Sequence, residues 1–79
     1  MMTQTNKIPL TTVMERLSEA VGWEVRPKHI AVLIHGWRKK KPHEAPSVAT
    51  LYERKKKDGF AWLTRQETAD LSRYAGYEI

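Results

Sequence analysis

The stretch Leu10-Thr-Thr-Val-Met-Glu-Arg-Leu-Ser-Glu-Ala-Val-Gly22, followed after Trp23-Glu-Val-Arg26 by Pro27-Lys-His-Ile-Ala-Val-Leu-Ile-His-Gly36, decides how this chain folds. Val13, Met14, Leu17, Ala20 and Val21 recur at the i, i+3, i+4 spacing that lines one side of an α-helix. Thr12 and Glu15 stand at capping-box distance, which predicts a helix start at Thr11 or Thr12. Gly22 can close that helix in a left-handed conformation. Pro27 suits the first position of a second helix, where its missing N–H would have had no partner. Ile30, Leu33, Ile34 and Trp37 form the expected buried stripe of that helix, with Lys28, His29, Val32 and His35 projecting elsewhere. Gly36 reads as its end, and Arg38, Lys39, Lys40 and Lys41, closed by Pro42, read as a turn or an exposed hairpin arm.

Working outward, residues 1–9 read as a flexible polar lead, and residues 10–79 as one small helical domain. A third helix is expected near Pro46 and Ser47, with Val48, Leu51, Tyr52 and Lys55 on one face. It ends at Arg54, Lys55, Lys56 and Lys57, before Asp58-Gly59. Thr64 and Glu67 make another capping-box pair, opening a fourth helix through Leu71 to Gly76. Short strands are expected at 23–25, 60–62 and 77–79. The fold class is therefore mainly α: a compact bundle of about four short helices, containing a helix-turn-helix-like pair, with room for a minimal β-hairpin or terminal strand pairing.

Leu17-Ser-Glu-Ala-Val-Gly-Trp-Glu-Val25 also aligns with Leu71-Ser-Arg-Tyr-Ala-Gly-Tyr-Glu-Ile79. The shared pattern implies two helices ending alike, on a glycine and then a large aromatic. The tails 23–25 and 77–79 could then pair as a short antiparallel ladder.

The chain has 79 residues, too few for two cores or a large substrate cavity. It has no cysteine, so disulfides and thiolate zinc sites are excluded and a reducing cytoplasm is the expected setting. No run of apolar residues approaches the ~20 needed to cross a bilayer, so no membrane partner is expected. A secretory signal is not expected either, because no basic start precedes an apolar run and a small-residue cleavage site. His29 and His35 do not fall at the i, i+3 or i, i+4 spacing of helical metal ligands, so no metal site is expected. There is no nucleophile elbow, no phosphate-cradling glycine loop and no sheltered carboxylate pair, and hence no catalytic residue, no cofactor and no enzyme. The seven aromatic residues read mainly as core, with Trp37 the best candidate for an exposed stacking platform.

What stands out is charge. The net charge is +5, yet the segment from Arg26 to Lys57 holds ten cations against Glu44 and Glu53, while the two flanks together are mildly acidic. A cationic block of this kind is best tolerated opposite a polyanion.

The segment from Leu10 to Pro42 resembles the small helix-turn-helix domains of phage repressors and excisionase-like regulators. In those families a small residue sits four before the turn glycine, as Ser18 does before Gly22, and an aliphatic residue such as Ile30 is buried from the second helix. The turn is stretched here, with Gly22 and Ile30 eight apart where about six is usual in those families. The resemblance implies a DNA-binding regulator or architectural factor of a phage or mobile element. In it Arg26, Lys28 and His29 would meet bases or nearby phosphates. Arg38, Lys39, Lys40 and Lys41, with Trp37 beside them, and Arg54, Lys55, Lys56 and Lys57 would grip phosphates. Duplex DNA is the first expected partner, with a homodimer improving selectivity. The same cations would equally serve a small inhibitor docking on an acidic host protein, or a binder of RNA or single strands.

Overall fold

A computed structural model describes residues 6–79. The elements run β1 (Lys7–Pro9), α1 (Leu10–Val21), α2 (Pro27–Lys40), α3 (Val48–Asp58), β2 (Trp62–Thr64) and α4 (Arg65–Ala75). Among the described residues, four helices and one two-stranded antiparallel sheet make a mainly-α bundle with a minimal pairing of strands.

The sheet only partly matches the expected strands: β2 begins at Trp62, the last residue of the expected 60–62 strand, and its partner is β1, which was not expected to be a strand. β1 pairs with β2 in the register Lys7↔Thr64, Ile8↔Leu63 and Pro9↔Trp62, and the Leu10 N–H extends the pairing to the Ala61 carbonyl at 2.9 Å. Lys7–Pro9 is thus a strand and not part of a lead; residues 1–5 of that lead lie outside the described residues. Because β1 runs straight into α1, Pro9 becomes the residue before the helix, and the expected Thr12–Glu15 capping box does not form. Starting at Leu10 still buries Val13 and Leu17 completely or nearly so.

α2 runs through Gly36 to Lys40, so neither the stop at Gly36 nor the turn at Arg38, Lys39 and Lys40 occurs. Two contacts explain the continuation. Trp37, one turn beyond Ile34, is fully buried and donates its indole N–H to Glu44 Oε2 at 3.1 Å. Gly36 serves close approach: a Cβ there would lie 2.8 Å from the Tyr74 hydroxyl. Glycine inside a helix costs about 1 kcal/mol relative to alanine, a penalty that burying an indole exceeds.

Ser47 opens α3 by accepting the Thr50 N–H at 3.0 Å. The inward face of α3 differs from the expected one: Leu51 is its sole buried residue, Arg54 and Asp58 are half-buried, and Val48 and Tyr52 face solvent. The capping box of α4 forms with both bonds, Glu67 N–H to Thr64 Oγ1 at 3.0 Å and Thr64 N–H to Glu67 Oε1 at 2.8 Å.

The core is mainly aliphatic and draws on all four helices and β2: Val13, Leu17, Ile30, Ile34, Leu51, Leu63 and Leu71 form one cluster with Trp37 and with Ala45 from the α2–α3 link. The aromatic expectation fails for five of the seven rings, while Tyr74 does pack half-buried against the core. Trp37 is core, while Trp23, Tyr52, Phe60 and Tyr77 are exposed.

The internal repeat has a structural counterpart, and it is longer than the nine aligned residues. Each copy is a strand, a helix, a left-handed glycine and then an exposed aromatic: β1, α1, Gly22, Trp23 and β2, α4, Gly76, Tyr77. Gly22 N–H bonds to Ser18 O and Gly76 N–H to Ser72 O, each at 2.9 Å. The terminal ladder between 23–25 and 77–79 does not form, because each tail is tied to the serine of its own helix. Val25 N–H donates to Ser18 Oγ at 2.8 Å, and the Ser72 hydroxyl donates to the Tyr77 carbonyl.

Candidate nucleic-acid interface

α2 shows three different sides. Ile30, Ile34 and Trp37 face the core. His29, Leu33 and Gly36 are half-buried beside α4 and the α1 tail. Lys28, Ala31, Val32, His35 and Lys39 are exposed, at the spacing that makes one continuous stripe. That stripe spans about 16 Å at 1.5 Å per residue. α2 contains no Asp or Glu, and its last turn holds Arg38, Lys39 and Lys40. Cations there suit the negative end of the helix dipole, so the cluster is locally stabilised as well as exposed.

Several expected contact residues turn out to have partners inside the protein. His29 Nδ1 accepts the Arg26 N–H at 2.9 Å, and its ring meets Trp23 edge-on with centroids 5.0 Å apart. Its Nδ1 therefore caps α2, and the ring does not stand free at the start of the helix. Trp37 is buried and offers no stacking surface. Arg38 donates from Nη1 to the Ala45 carbonyl at 2.8 Å, folding the α2–α3 link back on the helix.

Arg54 is the most heavily engaged. It forms a two-pronged pair with Glu67, at 2.8 and 3.0 Å, and donates to the Trp62 carbonyl at 2.9 Å. Its guanidinium carbon lies 4.1 Å from the centre of a Trp62 ring, and both members of the ion pair are only 17% exposed. Burial opposes the charge on Glu67, but hydrogen bonds from Arg54 and Thr64 and the Arg54 charge outweigh it, holding that carboxyl below its usual range. Nearby Asp58 accepts the Trp62 indole N–H at 2.7 Å and pairs with Lys7 at 3.3 Å. The Trp62 bond, against some desolvation and with help from Lys7, lowers the Asp58 carboxyl also.

Of the expected contact residues, Arg26, Lys28, Arg38, Lys39, Lys40, Lys41, Lys55, Lys56 and Lys57 are exposed, Arg38 with its guanidinium held by the Ala45 carbonyl. Arg26 lies 3.6 Å from Glu24. Lys28 and Lys39 share the α2 stripe, with Lys40 and Lys41 at its end. Lys55, Lys56 and Lys57 sit on a different helix, where Glu53 and Asp58 interrupt the positive charge. Ala31, Val32 and His35 were not singled out as contact residues, although the absence of acids in α2 and the i, i+3, i+4, i+7 spacing from Lys28 mark them.

Among the described residues no group of His, Asp and Glu is arranged to hold a metal ion, and no helix is long and apolar enough to cross a membrane. Compared with known protein families, with curated proteins and with solved structures, the chain matches none.

Proposed function

We propose that this chain binds duplex DNA, laying the exposed stripe of α2 in the major groove and setting Lys39, Lys40 and Lys41 against the phosphates. The observation that carries this reading is an uncovered helical stripe with three cations at one end, one at the other and no acid on the helix. The major groove, about 12 Å wide, admits an α-helix. Lys28 and His35 can donate to purine edges, and the small apolar pair Ala31 and Val32 suits the thymine methyl group. With so few base-reading side chains, selectivity would come from a second copy on a neighbouring half-site, which fits a regulator or architectural factor.

Four cations, Lys28, Lys39, Lys40 and Lys41, imply a log–log salt slope near about −3.6, or about a 10²-fold loss between roughly 50 and 200 mM salt. A salt series on random duplex and single-stranded oligonucleotides tests this. Duplex binding with that slope, stronger than single-strand binding, supports the reading. No measurable duplex binding at about 50 mM salt overturns it and favours an acidic protein surface as the partner of these cations.

A further inference from the structure

Beside the α2 stripe, on its half-buried side, lies a groove of about 600 Å³. The two copies of the internal repeat converge on it: Trp23 follows α1, while Tyr74 and Tyr77 come from α4 and its tail, and Leu33 of α2 lines it as well. Three of the six large apolar side chains exposed among the described residues, Trp23, Val32 and Tyr77, border this one groove. Isolated exposed apolar residues are ordinary, but several around one concavity mark an interaction site.

The charge of the lining restricts what could fill it. Among the described residues it includes Lys40 and His29 and no Asp or Glu. His29 Nδ1 accepts the Arg26 N–H, so the neutral ring carries its proton on Nε2 and is a donor there. Both polar groups on α2 in the groove are therefore donors, set eleven residues and about 16 Å apart along the helix. A second copy of the chain, groove to groove, would bring Lys40 and the net charge of +5 against their own likeness.

We infer that this groove docks an acidic, apolar-anchored segment of another protein, about three helical turns long, its apolar side chains against Trp23, Leu33 and Tyr77 and its carboxylates toward Lys40 and His29. The groove shares Val32 and Lys40 with the proposed DNA-binding surface, while Trp23, Leu33, Tyr74 and Tyr77 lie outside that surface. An occupied groove would therefore crowd the DNA-binding stripe.

The probe is a fluorescein-labelled peptide of about 14 residues with leucines at i, i+3, i+4 and i+7 and glutamates elsewhere, set beside its twin with lysines replacing the glutamates. The expected result is binding of the acidic peptide at least about tenfold tighter than its twin, with amide and indole shifts at Trp23, Leu33 and Tyr77 of the full chain. Tyr77→Ser should weaken the peptide about fivefold or more while the folded spectrum and duplex binding stay unchanged, which separates this site from the DNA reading. Lys40→Glu should abolish the preference for the acidic peptide. Shifts concentrated on Lys55, Lys56 and Lys57, or an unchanged affinity in Tyr77→Ser, overturn the inference. So does sedimentation as a dimer with broadening at the same groove residues, which would make a second copy the occupant.

Discussion

The chain carries two basic runs of the same make-up, Arg38-Lys-Lys-Lys41 and Arg54-Lys-Lys-Lys57, each at the C-terminal end of a helix. In both, the arginine turns back into the protein. The depth differs: Arg38 reaches one carbonyl in the α2–α3 link, while Arg54 binds a carboxylate, a carbonyl and an indole face. The surroundings of the lysines differ too, since α2 has no acid and α3 carries Glu53 and Asp58. A cation's role is thus set by what lies within hydrogen-bond reach, and equal composition does not imply equal function. The α3 run is first an anchor joining α3 to β2 and α4; the α2 run is first an open positive end.

Reversing the two lysine sets puts this contrast to its strongest test. K39E/K40E/K41E should lower duplex affinity by about 10²- to 10³-fold at roughly 100 mM salt and flatten the salt slope by about 3. K55E/K56E/K57E should lower it by less than about tenfold, measured by fluorescence anisotropy with thermal melts confirming folding. Equal losses in the two variants would erase the distinction between the runs.

A smaller effect separates the arginines. Arg54→Ala leaves the Glu67 carboxylate without its partner and should cost about 2–3 kcal/mol in urea unfolding. Arg38→Ala removes one hydrogen bond at an exposed side chain and should cost about 1 kcal/mol or less. Similar values for the two would mean that the buried pair contributes no more than the exposed bond.

The smallest effect is in pH. Glu67 titrates lower in the folded chain than the ordinary 4.5, so its stabilisation is fully present above that value and is lost as pH falls through the folded pKa. The stability gap between the parent chain and Arg54→Ala should therefore narrow on acidification, in urea melts near neutral pH and below about pH 4. For Arg38→Ala, whose partner is a carbonyl, no such narrowing is expected. A gap that stays constant for Arg54→Ala would rule out Glu67 as the main partner.

Much of the fold was legible because its signals are local. Left-handed Gly22 and Gly76, Pro27 at the first turn of α2, the Ser47 start of α3 and the Thr64–Glu67 box all depend on residues within about one helical turn of each other. The illegible parts share the opposite property. β1 offers only three residues and a proline, too short for an alternating pattern, and exists through its pairing with residues more than fifty positions away. Gly36 carries the same local signal as a helix stop, but the approach of Tyr74 and the burial of Trp37 keep the helix going. The candidate site was half visible: Lys28, Lys39, Lys40 and Lys41 could be read from charge. The internal partners of His29, Trp37, Arg38 and Arg54 could not.

Taken alone, the sequence determined four helices, where most of them begin and end, and a concentration of positive charge between two acidic flanks. These follow from interactions along a few residues of backbone. Tertiary structure decided which cations stay in water, which tryptophan is core, and that two similar helix ends meet at one groove. Those outcomes turn on contacts between distant segments: Arg54 meets a carbonyl eight residues on and a carboxylate thirteen residues on, and packing, not local spacing, brings them within 3 Å.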